Sequence, residues 1–241
     1  MRNLQNATAI LALLASPLAA QEFTEDQIKE LALKAIMENP QVIMEAVALL
    51  QSQEQAVQAE QREEMLSTNR DRLERDPNAP VLGNPDGDVT IVEFFDYNCP
   101  YCKRVKPEVQ ALMASDPNIR LVYREWPILG DGSMFAARAA LASRKQGKYE
   151  EFHWAMMGLQ GRAEEASVMK VATDIGLDLD QLRADMDAPE IDEHIQTSID
   201  LTATLGFSGT PSFVIGDALV AGFAETSELE QHVAVAREAI E

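Results

Sequence analysis

The sequence predicts an α/β protein in which a small mixed sheet carries helices on its faces and a long helical insertion, with a separate helical segment in front. Three observations predict it. Val89-Thr90-Ile91-Val92-Glu93-Phe94-Phe95 is an apolar run of strand length, continuous enough to be buried on both faces. A second run, Ile119–Arg124, follows one helix-length later, and a hairpin pattern lies near the end. Between them, residues 133–206 show helical periodicity and no strand.

Taken in order, residues 24–76 read as almost pure helix. Thr24 is a candidate cap, and Ile28, Leu31, Ala32, Ala35 and Ile36 share one face. Asn39-Pro40 breaks the run, because proline disfavours helix in the residue before it and suits the first turn of the next. The second helix carries Val42, Ile43, Ala46, Val47, Leu49 and Leu50. Continued to Asp76 it would be about 55 Å long, more than a small domain can cover. Gln53, Glu54 and Gln61 dilute its heptad seam, so residues 24–50 are the better self-association surface.

Pro77–Pro80 and Gly83–Asp88 are turn-rich and mark a linker into the second unit, residues 77–241. After the first strand, Cys99–Ser115 suits a helix. Gly147, Gly158, Gly161, Gly176 and Pro189 divide the insertion into four or five helices. Ser212–Ile215, the turn Gly216-Asp217 and Ala218–Ala221 form the hairpin, and Ser227-Glu228-Leu229-Glu230 has capping-box spacing for a last helix. The sum is β-α-β, helical insertion, β-β-α.

Composition narrows the function. The 241 residues are 46% apolar and 25% charged, but 20 basic residues face 40 acidic ones for a net charge of −20. A nucleic-acid binder needs cations to neutralise phosphates, and anionic lipid is disfavoured for the same reason. Neutral or basic partners are expected. Arg2, the apolar run Ala7–Leu14 and the small residues up to Ala20 read as a cleaved signal peptide, residues 1–20, and so as export to the periplasm. Thiol pairs outside the cytosol can work as oxidants or isomerases as well as reductants.

Cys99 and Cys102 are the only cysteines, which excludes a disulfide-stapled scaffold and a four-cysteine zinc module. Cys99-Pro100-Tyr101-Cys102 lies where a strand passes into a helix. Cys99 sits at the helix N-terminus, where free N–H groups and the macrodipole favour a thiolate. Cys102 lies one turn in, within reach of a disulfide, and Pro100 needs no N–H there. A thiolate-stabilising site favours the reduced form and makes the disulfide more oxidising. Zinc would need further ligands, and His153, His194 and His232 are far apart in sequence. An inert structural disulfide would close a very small ring and constrain little chain. Copper(I), which soft thiolates select, is a further reading of the pair. His153 reads as a helix residue beside Phe152 and Trp154, and Met156-Met157 as core.

Glu93–Cys102, together with Gly209-Thr210-Pro211-Ser212-Phe213, resembles the DsbA-like thioredoxin superfamily over about residues 80–241. Residues 24–55 resemble the N-terminal oligomerisation segment of its suppressor-of-copper-sensitivity C (ScsC) branch. The resemblance implies a thioredoxin fold with a helical insertion. It implies Cys99 as nucleophile, Cys102 as resolving thiol and Pro211 as a cis-proline that leaves Thr210 free to pair with an extended substrate. Pro100 and Tyr101 would also face substrate. It further implies an acidic group, Glu93, behind the buried cysteine. A desolvated carboxyl there could exchange a proton with Cys102 through water; pairing with Arg124 on the neighbouring strand is the alternative.

The functional expectation is a periplasmic disulfide isomerase or reductase acting on misoxidised exported proteins, reset by a membrane redox partner and working as a homo-oligomer, trimer or dimer. Thr210 before the proline and the N-terminal helices favour this over the alternative, a disulfide-introducing oxidase. Tyr101 stands where strong oxidants of the family carry histidine, which removes a cation near Cys99. An alternative of another class is a copper(I)-sequestering or holdase protein.

Overall fold

The structure, a computed structural model, describes residues 23–240. They fall into two compact units, one ending at Val57 and one beginning at Gln58. The expected signal peptide, residues 1–20, lies outside the described residues.

The first unit holds α1 (Glu25–Glu38) and the start of α2 (Gln41–Glu74). Thr24 caps α1 as expected: its hydroxyl accepts from the Gln27 N–H, and the Gln27 side chain accepts from the Thr24 N–H at 3.0 Å. Asn39 ends α1 and Pro40 precedes α2. No residue of α1 is buried, and Ile28, Leu31, Ile36, Val42, Ile43 and Val47 are all exposed.

The second unit is built on a five-stranded sheet of order β1-β3-β2-β4-β5: β1 (Val81–Gly83), β2 (Val89–Phe95), β3 (Ile119–Glu125), β4 (Ser212–Ile215) and β5 (Ala218–Ala221). Central β2 runs parallel to β3 and antiparallel to β4. Helix α3 (Pro100–Ser115) crosses between β2 and β3. The insertion comprises α4 (Asp131–Ser143), a 3-10 turn (Arg144–Gln146), α5 (Tyr149–Met157), α6 (Glu165–Asp174), α7 (Leu179–Asp185) and α8 (Pro189–Thr204); α9 (Thr226–Glu238) closes the chain.

Side chains alternate across a strand, so β2 divides its residues between two cores. Ile91 and Phe95 join Leu121, Tyr123 and Phe213 under α3 and the insertion. Val92 and Phe94 join Val122, Val214, Leu201 and Leu205 on the opposite face, together with Leu66 and Leu73 from α2. The turn-rich linker at 77–80 therefore comes after the first core residues of this unit.

Two local expectations and one alternative differ from the structure. The residues between the two turn clusters are not plain linker but strand β1, antiparallel to β3, with Val81 opposite Val122. Helix α9 starts two residues earlier than its capping-box spacing suggests. Its Thr226 N–H and hydroxyl both donate to the Glu108 carboxylate, at 3.0 and 2.6 Å, so a side chain from α3 caps it instead of Ser227. Arg124 does not pair with Glu93: it stands opposite Phe94 in the parallel register, on the other face, and donates to Asp76 at 2.5 Å.

Candidate active site

The end of β2 and the start of α3 place the thiol pair. Cys99 is the N-cap of α3 in extended backbone, and Pro100 occupies the first turn, where no N–H is required. Both cysteines are thiols in this structure and both are buried, Cys99 at 4% and Cys102 at 1% exposure. The Cys102 N–H donates to Cys99 Sγ at 3.4 Å, and Cys99 Sγ–H donates to the Thr210 carbonyl oxygen at 3.2 Å. Pro100 and Tyr101 are exposed beside them.

The two thiols are driven apart. The Cys102 thiol, hydrogen-bonded to Cys99, lowers the Cys99 pKa to about 6; burial opposes this, and the Thr210 side chain and the backbone N–H groups of Cys102 and Tyr101 add to it. Burial pushes Cys102 well above its usual value, and the Cys99 charge pushes it further. Cys99 is then mainly thiolate at neutral pH while Cys102 keeps its proton.

Thr210–Pro211 is a cis peptide bond, and the Thr210 carbonyl accepts from the Cys99 thiol while the Thr210 side chain favours its thiolate. Ser212 holds the turn by donating to the Gly209 carbonyl at 2.7 Å, and the Pro211 carbonyl accepts from Gly222 at 2.8 Å. Glu93 projects from β2 into the same core as Cys102, 2% exposed, with no hydrogen bond among the described residues. Burial first, and the Cys99 charge second, raise its carboxyl to about 8. It is therefore mainly protonated at neutral pH.

Sequence reasoning missed the residues that hold this loop. Asp96 is buried, and one carboxylate serves three segments. Oδ1 accepts from the Asn98 N–H at 2.7 Å and the Ser133 hydroxyl at 2.8 Å; Oδ2 accepts from the N–H groups of Ile128 and Leu129 at 2.8 and 3.0 Å. Asn98 adds a reciprocal pair with the Ala163 backbone, at 2.7 and 3.1 Å. An Asp-x-Asn run before a cysteine signals a local Asx turn, but not its distant partners. His153 lies in the core with Nδ1 3.1 Å from the Tyr97 hydroxyl, and burial lowers it to about 3, so it is neutral. Met156 and Met157 are core, as read. Among the described residues no three His, Cys, Asp or Glu side chains group as metal ligands would.

A strand–Cys-Pro-Tyr-Cys–helix corner facing a cis-proline on a mixed sheet defines a thioredoxin-class dithiol protein. The chain belongs to the DSBA-like thioredoxin domain family, which it matches over residues 90–234. It is similar to a thioredoxin-like oxidoreductase from Silicibacter pomeroyi DSS-3, 65% identical, covering 70% of this chain and 98% of that one with a TM-score of 0.70. It is similar to the thiol-disulfide exchange protein alpha-DsbA2 of Wolbachia pipientis, at 31% identity, 74% and 97% coverage and a TM-score of 0.69. Proteus mirabilis ScsC in a transitional conformation is similar at 25% identity over 93% of this chain and all of that one, with a TM-score of 0.66. Among curated relatives, the Na(+)/H(+) antiporter NhaA 1 of Salinispora arenicola is 33% identical over 56% of this chain. The match spans only 21% of that relative. No helix among the described residues is long and apolar enough to cross a membrane.

Proposed function

We propose that this protein is an exported thiol–disulfide interchange protein that reduces and reshuffles wrong disulfides in other exported proteins. The observation that carries the reading is the split between the two thiols: a low-pKa Cys99 against the cis Thr210–Pro211 turn, above a Cys102 that stays protonated.

In this reading the Cys99 thiolate attacks a client disulfide. The client S–S bond breaks, a Cys99–client disulfide forms, and the other client sulfur leaves as a thiolate. That thiolate can attack a different client disulfide, and the client thiolate this frees attacks the Cys99–client disulfide, forming a new client disulfide and releasing the Cys99 thiolate, which is isomerisation. Alternatively Cys102 loses its proton and attacks Cys99 Sγ, releasing the client thiol and leaving the Cys99–Cys102 disulfide, which is net two-electron reduction of the client. Glu93 is the positioning and proton-exchange group for that second step, since its pKa near 8 lets it carry or release a proton near neutrality. A membrane redox partner returns the disulfide to the dithiol.

Two features support isomerase or reductase work over oxidation. The first unit leaves Ile28, Leu31, Ile36 and Ile43 exposed, a surface suited to bringing copies of this chain together so that one client meets several sites. No histidine cation stands between the cysteines. The test is recovery of a client protein with scrambled disulfides when mixed with the mature chain. Recovery that is lost with Cys99→Ser is expected. Exchange activity without recovery would overturn the isomerase reading and leave an oxidase or a dedicated reductase.

A further inference from the structure

Among the described residues the cations beside the thiol pair form no ion pair, although acidic residues outnumber basic ones two to one in this chain; Arg104 acts only through its charge, on Glu108 of the same helix. Lys103, Arg104 and Lys106 on α3, and Arg162 on the loop after α5, take part in none of the ion pairs among the described residues. Elsewhere the surface lysines Lys29, Lys34, Lys145, Lys148 and Lys170 are all paired.

The direct contacts of these four are to neutral groups. Lys103 donates to the carbonyls of Leu159 and Gly161 at 2.8 and 2.9 Å, Lys106 to that of Trp154 at 2.9 Å, and Arg162 to that of Leu129 at 3.1 Å. Arg104 lies over the Phe223 ring at 4.4 Å, on the loop that follows β5. Lys103 uses two of its three N–H donors and Lys106 one, so both have donors left. Lys103 and Lys106 line a cavity of about 530 Å³, whose wall includes Asn98 and Pro100, the two neighbours of Cys99 in the chain. Burial and the charge of Arg162 lower the Lys103 pKa, consistent with a cationic cluster that lacks a counter-charge.

We infer that this groove receives carboxylate side chains of the polypeptide whose cysteine exchanges with Cys99, and so favours acidic over basic sequence around that cysteine. The inference rests on the thiol-exchange reading and names its substrate class. It runs against the expectation from whole-chain charge. Screening decides between them: beyond about 8 Å at physiological salt the diffuse negative charge is largely damped, while cations lining the groove act at contact. The ammonium groups, already anchored on carbonyls, need little further ordering to meet a carboxylate.

The test uses the full chain in its dithiol form and three synthetic peptides of equal length. Each carries one cysteine as a mixed disulfide with 2-mercaptoethanol, flanked by Asp and Glu, by Ser and Asn, or by Lys. Cys99 attacks the peptide sulfur, the probe S–S bond breaks and mercaptoethanol leaves as a thiolate that takes a proton from water. Cys102 then displaces the peptide thiol, whose release is followed by chromatography. At about 20 mM salt the acidic peptide should react about tenfold faster than the basic one, and at about 500 mM the ratio should fall to about two. The double charge reversal Lys106→Glu, Arg162→Glu should invert the low-salt ratio. Lys170→Glu, a reversal on α6, should keep it above fivefold, which separates the groove from net charge. Equal low-salt rates for acidic and basic peptides in the unmodified protein would overturn the inference even if the variants failed to fold. No exchange with any peptide, the neutral one included, would overturn the underlying thiol-exchange reading as well.

Discussion

On one face of the sheet Glu93 is buried without a hydrogen bond among the described residues; on the other, Arg124 is buried with Asp76 at 2.5 Å. The two side chains come from adjacent strands and are both almost fully enclosed. Arg124 keeps its charge because a carboxylate meets it, although its Nε and Nη2 find no partner. Glu93 has no such partner, so burial drives its carboxyl toward the neutral form. A buried charge with a counter-ion is fixed, whereas a buried acid without one becomes a group that can gain or lose a proton near pH 8. The fixed charge belongs to the packing of α2 and the linker; the titratable one stands behind Cys102.

The comparison can be broken from the Arg124 side. Asp76→Ala should destabilise the fold by about 4 kcal/mol in urea unfolding, because it strands a buried guanidinium. It should leave the pH dependence of Cys99 alkylation where it was. From the other side, the Glu93 pKa is higher in the folded chain than its usual 4.5, so the folded state holds the proton more tightly. Its stabilising contribution is full below about pH 4.5 and is lost as pH rises through about 8, at about 1.4 kcal/mol per pH unit. Glu93→Gln should remove that slope in unfolding measured between those limits; an unchanged slope would place the titration elsewhere. A smaller effect is expected at Thr210. Iodoacetamide should label Cys99 with an apparent pKa of about 6. Thr210→Val, which deletes the hydroxyl but keeps the carbonyl, should raise that pKa by about half a unit, read by thiolate absorbance.

Much of this arrangement could be read from the chain. Strands β2 to β5 announce themselves by apolar runs and turn residues, and the cysteine corner follows from its strand–helix context. Strand β1 does not, because two residues between proline and glycine carry no period; it exists through pairing with β3. The alternative partner for Glu93, Arg124, fails because proximity in register is not proximity in space: one step along a strand moves a side chain to the other face. The anchoring by Asp96 and Asn98 was invisible because their partners, Ile128, Ser133 and Ala163, are distant in sequence. The reach of α2 into the α/β core was hidden by its uniform helical pattern. That has a direct test. A chain starting at Gln58 keeps Leu66 and Leu73 and should melt as the full α/β unit does, whereas one starting at Arg75 loses both. Removing a single buried leucine costs about 3 kcal/mol, so the shorter chain should be unfolded or nearly so by circular dichroism.

The Asp96 carboxylate ties the redox loop, the segment after β3 and the first turn of α4 to one point. The thiol pair is thus not a portable cassette. Transplanting Cys99–Cys102 onto another strand–helix corner would carry the sulfur atoms without the clamp that fixes the approach of the chain to them. A graft would need the acid and its four donors together, and conversely the insertion cannot be trimmed back to its first helix without loosening the loop that presents Cys99.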